Sequence, residues 1–198
     1  KEMYSFVDKG DTTICLRPEA TSSLARFAAS NYQSGQMKLS THGPMFRRER
    51  PQKGRYRQFH QINIENIGEK SSYIDFEIIL IASTILKELG LEVNQYKLLI
   101  NSLGSLEDQI NYSKILNGYL NQYKKNLSET SITRLERNPL RILDSKDESD
   151  KEILLNAPKI NEYLSKESQN FFNDIKLMLA DNNIFFKEDE KLVRGLDY

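Results

Sequence analysis

A basic stretch in the first third of the chain has the residue types needed to hold an anion. The stretch Gly43–Glu65 reads GPMFRRERPQKGRYRQFHQINIE. Its six cations outnumber the one acid before residue 60, Glu49, so its local charge is about +5 in a chain whose net charge is +0. The cations are Arg47, Arg48, Arg50, Lys53, Arg55 and Arg57. Solvated charge runs usually mix both signs or lie on long helices, so this composition indicates a binding site for an anion such as phosphate.

Two predicted strands would position this basic stretch. Leu39–Phe46 and Gln58–Glu65 alternate roughly between apolar and polar residues, which is typical of half-buried strands. Pro51 and Gly54 interrupt the charged run between them and mark a turn or loop. The sequence therefore predicts an antiparallel hairpin with a long, mobile, basic loop.

Strand alternation assigns the hairpin residues to two faces. Phe59, Gln61, Asn63 and Glu65 share one face, and Met45, Arg47 and Glu49 fall together on the incoming strand. His60, Ile62 and Ile64 share the other face, which we expect to be core, with His60 as a structural residue. The polar face could be the floor of a binding site, because such groups are costly to bury without partners. It could equally be the solvated outer face of an edge hairpin.

Two separate strings carry a resemblance to a known family. Phe46-Arg47-Arg48-Glu49 resembles the second signature motif of class II aminoacyl-tRNA synthetases, and the longer string FRRERPQKGRYRQFHQ resembles its histidyl-tRNA synthetase version. The final residues Leu192–Tyr198 resemble the histidine-specific peptide of that family, and Arg17-Pro18-Glu19-Ala20-Thr21 resembles its substrate-binding loop. Ala20 stands where glycine is common in the family.

The resemblance implies particular roles for residues in these strings. Arg47 and Arg194 would be catalytic at the α-phosphate, Arg55 would reach the terminal phosphates, Glu49 would accept from the adenine amino group, and Phe59 would stack on the adenine ring. The implied ATP-binding residues are Arg47, Glu49, Arg55, Phe59 and Arg194, and the implied histidine-binding residues are Glu19, Thr21, Arg47, Gln61, Glu65 and Arg194. Glu19, Thr21 and Gln61 would receive the ammonium group, and Glu65 would face the imidazole.

The activity implied by the resemblance is ATP- and Mg²⁺-dependent activation of L-histidine, followed by transfer to tRNA(His). A homodimer is implied for the full-length protein, and no protein metal ligand is predicted. Two other functions stay open: a synthetase-like regulatory domain that senses histidine or uncharged tRNA, and an RNA-binding module that uses the basic hairpin. The second would show strongly salt-dependent RNA binding without ATP binding.

Composition favours a globular protein of the cytoplasm. Hydrophobic residues make up 38% and charged residues 28% of the 198 residues, and no apolar run is long enough to span a membrane. The N-terminal residues lack the apolar core of a signal peptide. The single cysteine, Cys15, cannot form an internal disulfide, and we expect it to be a small buried hydrophobic residue. The chain is expected to be an internal piece of a larger enzyme.

The order of elements predicts an α+β fold with three segments. Residues 1–103 would form part of a class II catalytic core with an antiparallel sheet, residues 104–183 an all-helical insertion domain, and residues 184–198 a return to the core. Thr21 or Ser22 is expected to cap a helix over Ala20–Asn31. Five helices are expected after the hairpin, and they are Ser71–Leu89, Ser105–Lys125, Ser128–Asn138, Glu148–Leu155 and Ser165–Asp181. Two short strands are also expected, Tyr96–Ile100 and Ile184–Glu188. By resemblance the helical segment would pack against the acceptor stem of tRNA, although a spacer or a protein-binding surface is also consistent with its sequence.

Overall fold

A computed structural model of the chain describes residues 3–193. The chain divides into two compact units, Lys1–Lys70 and Ser71–Tyr198. The first contains the predicted hairpin and the second contains the predicted helical segment. The finer limits at residues 103 and 183 stay a prediction. None of the helices within residues 3–193 combines the length and apolar character that a membrane crossing requires.

The first unit begins with a small antiparallel ribbon. Strand β1 (Ser5–Val7) pairs with β2 (Thr13–Cys15), and the Asp8 carboxylate accepts the backbone N–H groups of Gly10 and Thr12 in the turn. Both strands are exposed along their whole length. The prediction that Cys15 is buried is therefore wrong, because no other element covers this ribbon within the described residues.

Helix α1 (Thr21–Asn31) follows the ribbon, close to its predicted limits. Its N-cap residue is Ala20, which has no capping side chain, so the expectation that Thr21 or Ser22 caps the helix is wrong. Glu19 performs this function instead, since both of its carboxylate oxygens accept the backbone N–H of Ser22, at 3.0 and 3.2 Å. A carboxylate at this end also interacts favourably with the helix dipole.

The predicted central hairpin is confirmed. Strand β3 (Met37–Phe46) pairs with β4 (Gln58–Ile67) in an antiparallel register that runs from Met37 opposite Ile67 to Phe46 opposite Gln58. The side chains of paired residues lie on the same face of the sheet. Met45 and Phe59 therefore lie beside each other, and so do Thr41 and Asn63.

The prediction that His60, Ile62 and Ile64 form the core face of the hairpin is wrong. His60 is exposed, Ile62 is 59% exposed and Ile64 is half-buried, so this face is not core in the described chain. The polar face is the covered one, and on it Asn63 is only 9% exposed. The cause is a contact between distant parts of the chain, because Thr21 at the start of α1 bonds to Glu65 and α1 therefore lies over the polar face.

The second unit is mostly helical, and all predicted helices and strands are present with slightly shorter limits. The elements are α2 (Ser72–Glu88), β5 (Leu98–Ile100), α3 (Leu106–Gln122), α4 (Glu129–Arg137), α5 (Glu148–Leu154), α6 (Lys166–Asp181) and β6 (Phe186–Glu188). Strands β5 and β6 pair in parallel, whereas the predicted sheet was antiparallel. The intervening helices make the long crossover that a parallel pair needs.

Two hydrophobic clusters stabilise the second unit. One lies between α2 and α6 and includes Phe76, Ile100 and Leu179. The other joins α3, α4 and α5, and its members are Tyr112, Leu116, Leu120, Leu127, Leu135, Leu140, Ile142, Ile153, Leu154, Ile160, Leu164 and Val193. Val193 is 5% exposed, so the chain after β6 returns to the helical core.

Two buried aspartates connect helix starts within the helical segment. Asp108 accepts hydrogen bonds from the backbone and hydroxyl groups of Ser105 and Ser165 and from the hydroxyl of Ser168. Asp150 accepts in the same way from three serines, which are Ser128, Ser131 and Ser145. Burial alone would raise the pKa of each carboxyl, but these hydrogen bonds outweigh it and hold both pKa values below the ordinary range.

Candidate active site

Reciprocal hydrogen bonds join the segment before α1 to the end of β3. The Arg17 side chain donates from Nε to the Pro44 carbonyl at 2.8 Å, and the backbone N–H of Phe46 donates to the Arg17 carbonyl at 2.9 Å. Arg47 then donates from Nε to the Pro18 carbonyl at 2.8 Å. These three bonds hold the Glu19–Thr21 segment beside the first arginine of the basic stretch.

Gly43 allows Arg17 to approach the sheet closely. A Cβ built on Gly43 would lie 2.5 Å from Arg17 Nη2, and the backbone φ of Gly43 is +149°, which favours glycine. Gly43 pairs with Gln61, so the Arg17 guanidinium lies on the polar face of the hairpin. This places a second guanidinium, in addition to that of Arg47, near the predicted amino acid site.

The Arg47 side chain is held by two contacts. Besides its bond to Pro18, its guanidinium carbon lies 5.0 Å from the centre of the Phe59 ring. This geometry is a cation–π contact, which stabilises the charge and fixes the direction of the side chain. Because Nε is bonded to Pro18, the terminal Nη groups are the atoms of Arg47 that could bind a phosphate or carboxylate bidentately.

Thr21 lies at the centre of a polar cluster. Its hydroxyl donates to Glu65 Oε1 at 2.7 Å and accepts from Asn63 Nδ2 at 3.3 Å. These bonds connect the start of α1 to two residues more than forty positions later in the chain. Because the hydroxyl proton is used in the bond to Glu65, Thr21 can only accept a hydrogen bond from a further ligand.

Two buried acceptors near Thr21 have no partner among the described residues. They are Gln61 Oε1 and Asn63 Oδ1, each with almost no exposed surface. A buried polar atom without a hydrogen bond costs about 1–3 kcal/mol. A ligand with several N–H donors would remove that cost, so the atoms are suited to bind an ammonium group.

Glu19 adds a negative charge at the same end of α1. Burial alone would raise its pKa, but hydrogen bonds from Ser22 and the backbone of Thr21, with the positive charge of Arg26, hold the pKa of Glu19 below its ordinary value. Glu19 is therefore ionised at neutral pH. An ionised carboxylate at the start of α1 and two unpartnered carbonyl oxygens on the covered hairpin face are groups that favour a cation.

The basic loop continues the hairpin in an irregular form. The Arg47 backbone N–H donates to the Arg57 carbonyl, and Gln52 and Arg55 form an isolated bridge around Gly54, whose φ is +80°. Arg55 Nη1 lies 3.5 Å from Glu49 Oε2. A nucleotide that used both side chains would therefore have to separate this ion pair.

The structure brings most of the predicted site residues into one unit. Arg47 contacts Phe59, Thr21 contacts Glu65, and Glu49 contacts Arg55. Glu19 precedes Thr21 at the start of α1, and Gln61 lies between Phe59 and Asn63 on the covered face. Arg194 lies outside the described residues, so the structure says nothing about its position.

Two residues at the site have no role in the sequence prediction. Alternation had placed Asn63 on the polar face, but its bond to Thr21 depends on the packing of α1. Arg17 belongs to the string that resembles a substrate-binding loop, and its bond to Pro44 depends on the same packing. Residues 3–193 contain no group of three or more His, Cys, Asp or Glu side chains that could hold a metal ion.

Comparison with solved structures identifies the class of this fold. The apo histidyl-tRNA synthetase of S. aureus is similar to 99% of the chain, with a TM-score of 0.77 and 33% sequence identity, and the chain covers 46% of that structure. A Bacillus halodurans protein described as an ATP phosphoribosyltransferase regulatory subunit/histidyl-tRNA synthetase shares the fold at 21% identity and a TM-score of 0.57. The fold is thus that of the catalytic region of an aminoacyl-tRNA synthetase.

Sequence comparison identifies the family within this class. A profile described as Histidyl-tRNA synthetase matches residues 1–176, so the chain belongs to the histidyl-tRNA synthetase family. It is 49% identical to a histidine–tRNA ligase of Wolbachia pipientis subsp. Culex pipiens and 50% identical to a chloroplastic histidine–tRNA ligase of Gracilaria tenuistipitata. All of this chain is covered in both alignments, but it spans 48% and 47% of those two proteins, about half of their length.

Proposed function

We propose that the protein containing this chain activates L-histidine with ATP and transfers it to tRNA(His). The observation that carries the proposal is that Asn63 and Glu65, both hydrogen-bonded to Thr21 of α1, share a hairpin face with Arg47 and its partner Phe59. This face combines groups that suit an ammonium and an imidazole with a guanidinium that suits a phosphate.

Activation joins two negatively charged groups. A carboxylate oxygen of histidine attacks the α-phosphorus of ATP, the bond from that phosphorus to the bridging oxygen breaks, and pyrophosphate leaves with the bonding electrons. Arg47 would bind the α-phosphate and the histidine carboxylate through its Nη groups, which brings the reactants together and neutralises the charge that develops. Arg194 would supply a second guanidinium there.

The amino acid would be recognised by the cluster under α1. Glu19, Thr21 and Gln61 would accept from the ammonium group, and Glu65 Oε2 would accept from an imidazole N–H. A site built from hydrogen-bonding groups rejects apolar analogues strongly, because its own buried groups would remain unpaired. Phe59 would stack on adenine with the ring face that does not contact Arg47. Once the ion pair between Arg55 and Glu49 has separated, Arg55 would bind the terminal phosphates and Glu49 would accept from the adenine amino group.

Mg²⁺ would enter with ATP. The described residues contain no cluster of metal-binding side chains, so the phosphate oxygens of ATP would be its main ligands. A homodimer and a cytoplasmic location are further parts of the proposal.

The helical segment offers a cationic cavity for the tRNA. A cavity of about 390 Å³ on α4 and the turn after it is lined by Thr130, Thr133, Arg134, Arg137, Asn138 and Arg141. Arginine suits the phosphates of an RNA backbone, and such contacts weaken with salt. Arg137→Glu should raise the KM for tRNA at least ten-fold without changing amino acid activation, whereas Lys166→Glu at the start of α6 should leave both unchanged.

Histidine-dependent ATP–pyrophosphate exchange in the full-length protein tests the main proposal. Arg47→Ala and Arg194→Ala should each reduce exchange at least 100-fold, which corresponds to about 3 kcal/mol of transition-state stabilisation. Arg48→Ala is the matched control, because Arg48 is the exposed neighbour of Arg47 and should retain activity within about three-fold.

Exchange activity separates the main proposal from both alternatives, and a measurement of histidine binding separates the alternatives from each other. A histidine-sensing regulatory domain would bind histidine without catalysing exchange, and an RNA-binding module would bind neither histidine nor ATP. Exchange that survives both arginine substitutions would refute the assignment of the site.

A further inference from the structure

We propose that Asn63 is an additional acceptor for the α-ammonium group of the amino acid. The inference rests on the proposed function, which it extends with a residue that the sequence placed on the polar face but gave no role. It depends on one feature of the structure: a buried amide whose two ends have different roles.

The two ends of the Asn63 side chain are distinguished by their partners. Nδ2 donates to the Thr21 hydroxyl at 3.3 Å, whereas Oδ1 is buried without a partner among the described residues. The residue is 91% buried, because its exposed fraction is 9%. Thr21 already donates its proton to Glu65, so it cannot also donate to Asn63. The orientation of the amide is thereby fixed, with Oδ1 as the end that can accept from a ligand.

The position of Oδ1 favours the ammonium over the imidazole. Asn63 lies between Gln61 and Glu65 on the covered face, and it bonds to Thr21, which follows the anionic Glu19 by two residues. An ammonium group carries three N–H donors, whereas a neutral imidazole carries one, for which Glu65 suffices. Asn63 would join Glu19, Thr21 and Gln61 as a fourth acceptor, and the three donors of the ammonium would be shared among these four groups.

An unpartnered amide also occurs on the other face of the same strand. Neither polar atom of Asn66 has a partner among the described residues, and strand alternation directs this side chain away from Thr21. Asn66 is therefore a matched control for the general effect of removing an amide from β4.

The experiment measures histidine binding and histidine-dependent exchange in the full-length protein. Asn63→Ala should raise the KM and the Kd for L-histidine about ten-fold and change the KM for ATP less than two-fold. Asn63→Asp keeps an acceptor at the same position but lacks the donor to Thr21, so it should bind histidine within about three-fold of the unmodified protein. Asn66→Ala should leave both constants unchanged.

Two histidine analogues identify the ligand group. L-Histidinol retains the ammonium and lacks the carboxylate, whereas imidazole-propionate lacks the ammonium. Asn63→Ala should weaken binding of L-histidinol about ten-fold and leave that of imidazole-propionate unchanged.

Each contrary result has a separate meaning. If Asn63→Asp is as defective as Asn63→Ala, the amide acts through Thr21 alone and the inference is wrong. Equal histidine binding by Asn63→Ala and the unmodified protein would also refute it. If the unmodified protein does not bind histidine at all, the proposed function is wrong. The inference about Asn63 is then wrong as well, but this outcome differs from a defect confined to the Asn63 variants.

Discussion

The sharpest stability test concerns the buried carboxylate of Asp108. This residue is 6% exposed, and four of its five hydrogen bonds converge on Oδ2, at distances from 2.5 to 3.1 Å. Asp108→Asn keeps the shape of the side chain, but its amide has a single acceptor oxygen, so the donors at the other end of the group lose their partner and the remaining bonds lose the negative charge of their acceptor. Because a hydrogen bond to a charged group contributes about 1.5–3 kcal/mol, losing at least one such bond and weakening the others should cost about 3 kcal/mol.

The predicted loss is measurable by thermal unfolding followed by far-ultraviolet circular dichroism. A loss of this size should lower the Tm of the second unit by about 10 °C or more. Glu107→Gln is the control, since Glu107 is the exposed preceding residue of the same helix and should change the Tm by less than about 2 °C. A loss below about 1 kcal/mol for Asp108→Asn would refute the view that this network stabilises the helical segment.

The pH dependence of the same comparison tests the electrostatic part of the argument. The pKa of Asp108 in the folded chain lies below its unfolded value of about 3.9, so the unfolded state takes up protons first as the pH falls. The stabilisation is therefore complete above that unfolded pKa and declines as the pH falls from about 5 towards the lower folded pKa. The difference between the unmodified chain and Asp108→Asn should shrink over this range, and a constant or growing difference would contradict the assignment.

Three further substitutions test individual contacts. Thr21→Val keeps the side-chain shape but leaves Glu65 without its donor. It should weaken histidine binding about ten- to 100-fold in calorimetric titration, because hydrogen bonds to charged groups contribute about 1.5–3 kcal/mol. An unchanged affinity would show that Thr21 is not part of the site. Gly43→Ala should displace the Arg17 guanidinium, weaken histidine binding and strain the backbone by about 1–3 kcal/mol in urea unfolding. The same change at Gly35, which also has a positive φ but has open space around it, should not alter histidine binding. Val193→Ala should destabilise the helical core by about 2 kcal/mol in urea unfolding through lost burial and a cavity, and no effect would mean that the chain after β6 does not belong to that core.

The hairpin and the helices that carry the candidate site were predictable from local sequence because each is specified by a local pattern. The central hairpin follows from residue alternation on both sides of a turn, and its register then places Phe59, Gln61, Asn63 and Glu65 on one face. Helix limits followed from apolar periodicity, and the structure shows that the serines at which four predicted helices begin are their N-caps, which are Ser71, Ser105, Ser128 and Ser165. Each of these signals acts over fewer than about ten residues, within the range where a single sequence carries the information.

The sequence alone determined that the hairpin has a polar and an apolar face, but only the tertiary structure decided which one is covered. Residue alternation shows which side chains share a face of a strand, but it does not show which face is buried. The predictions that Ile62 lies in the core and that Cys15 is buried were both wrong for this reason. The packing of α1 over β4 made the difference, because it brings Thr21 to Asn63 and Glu65 across more than forty residues. Contacts at that separation depend on the path of the whole intervening chain, which no local pattern specifies.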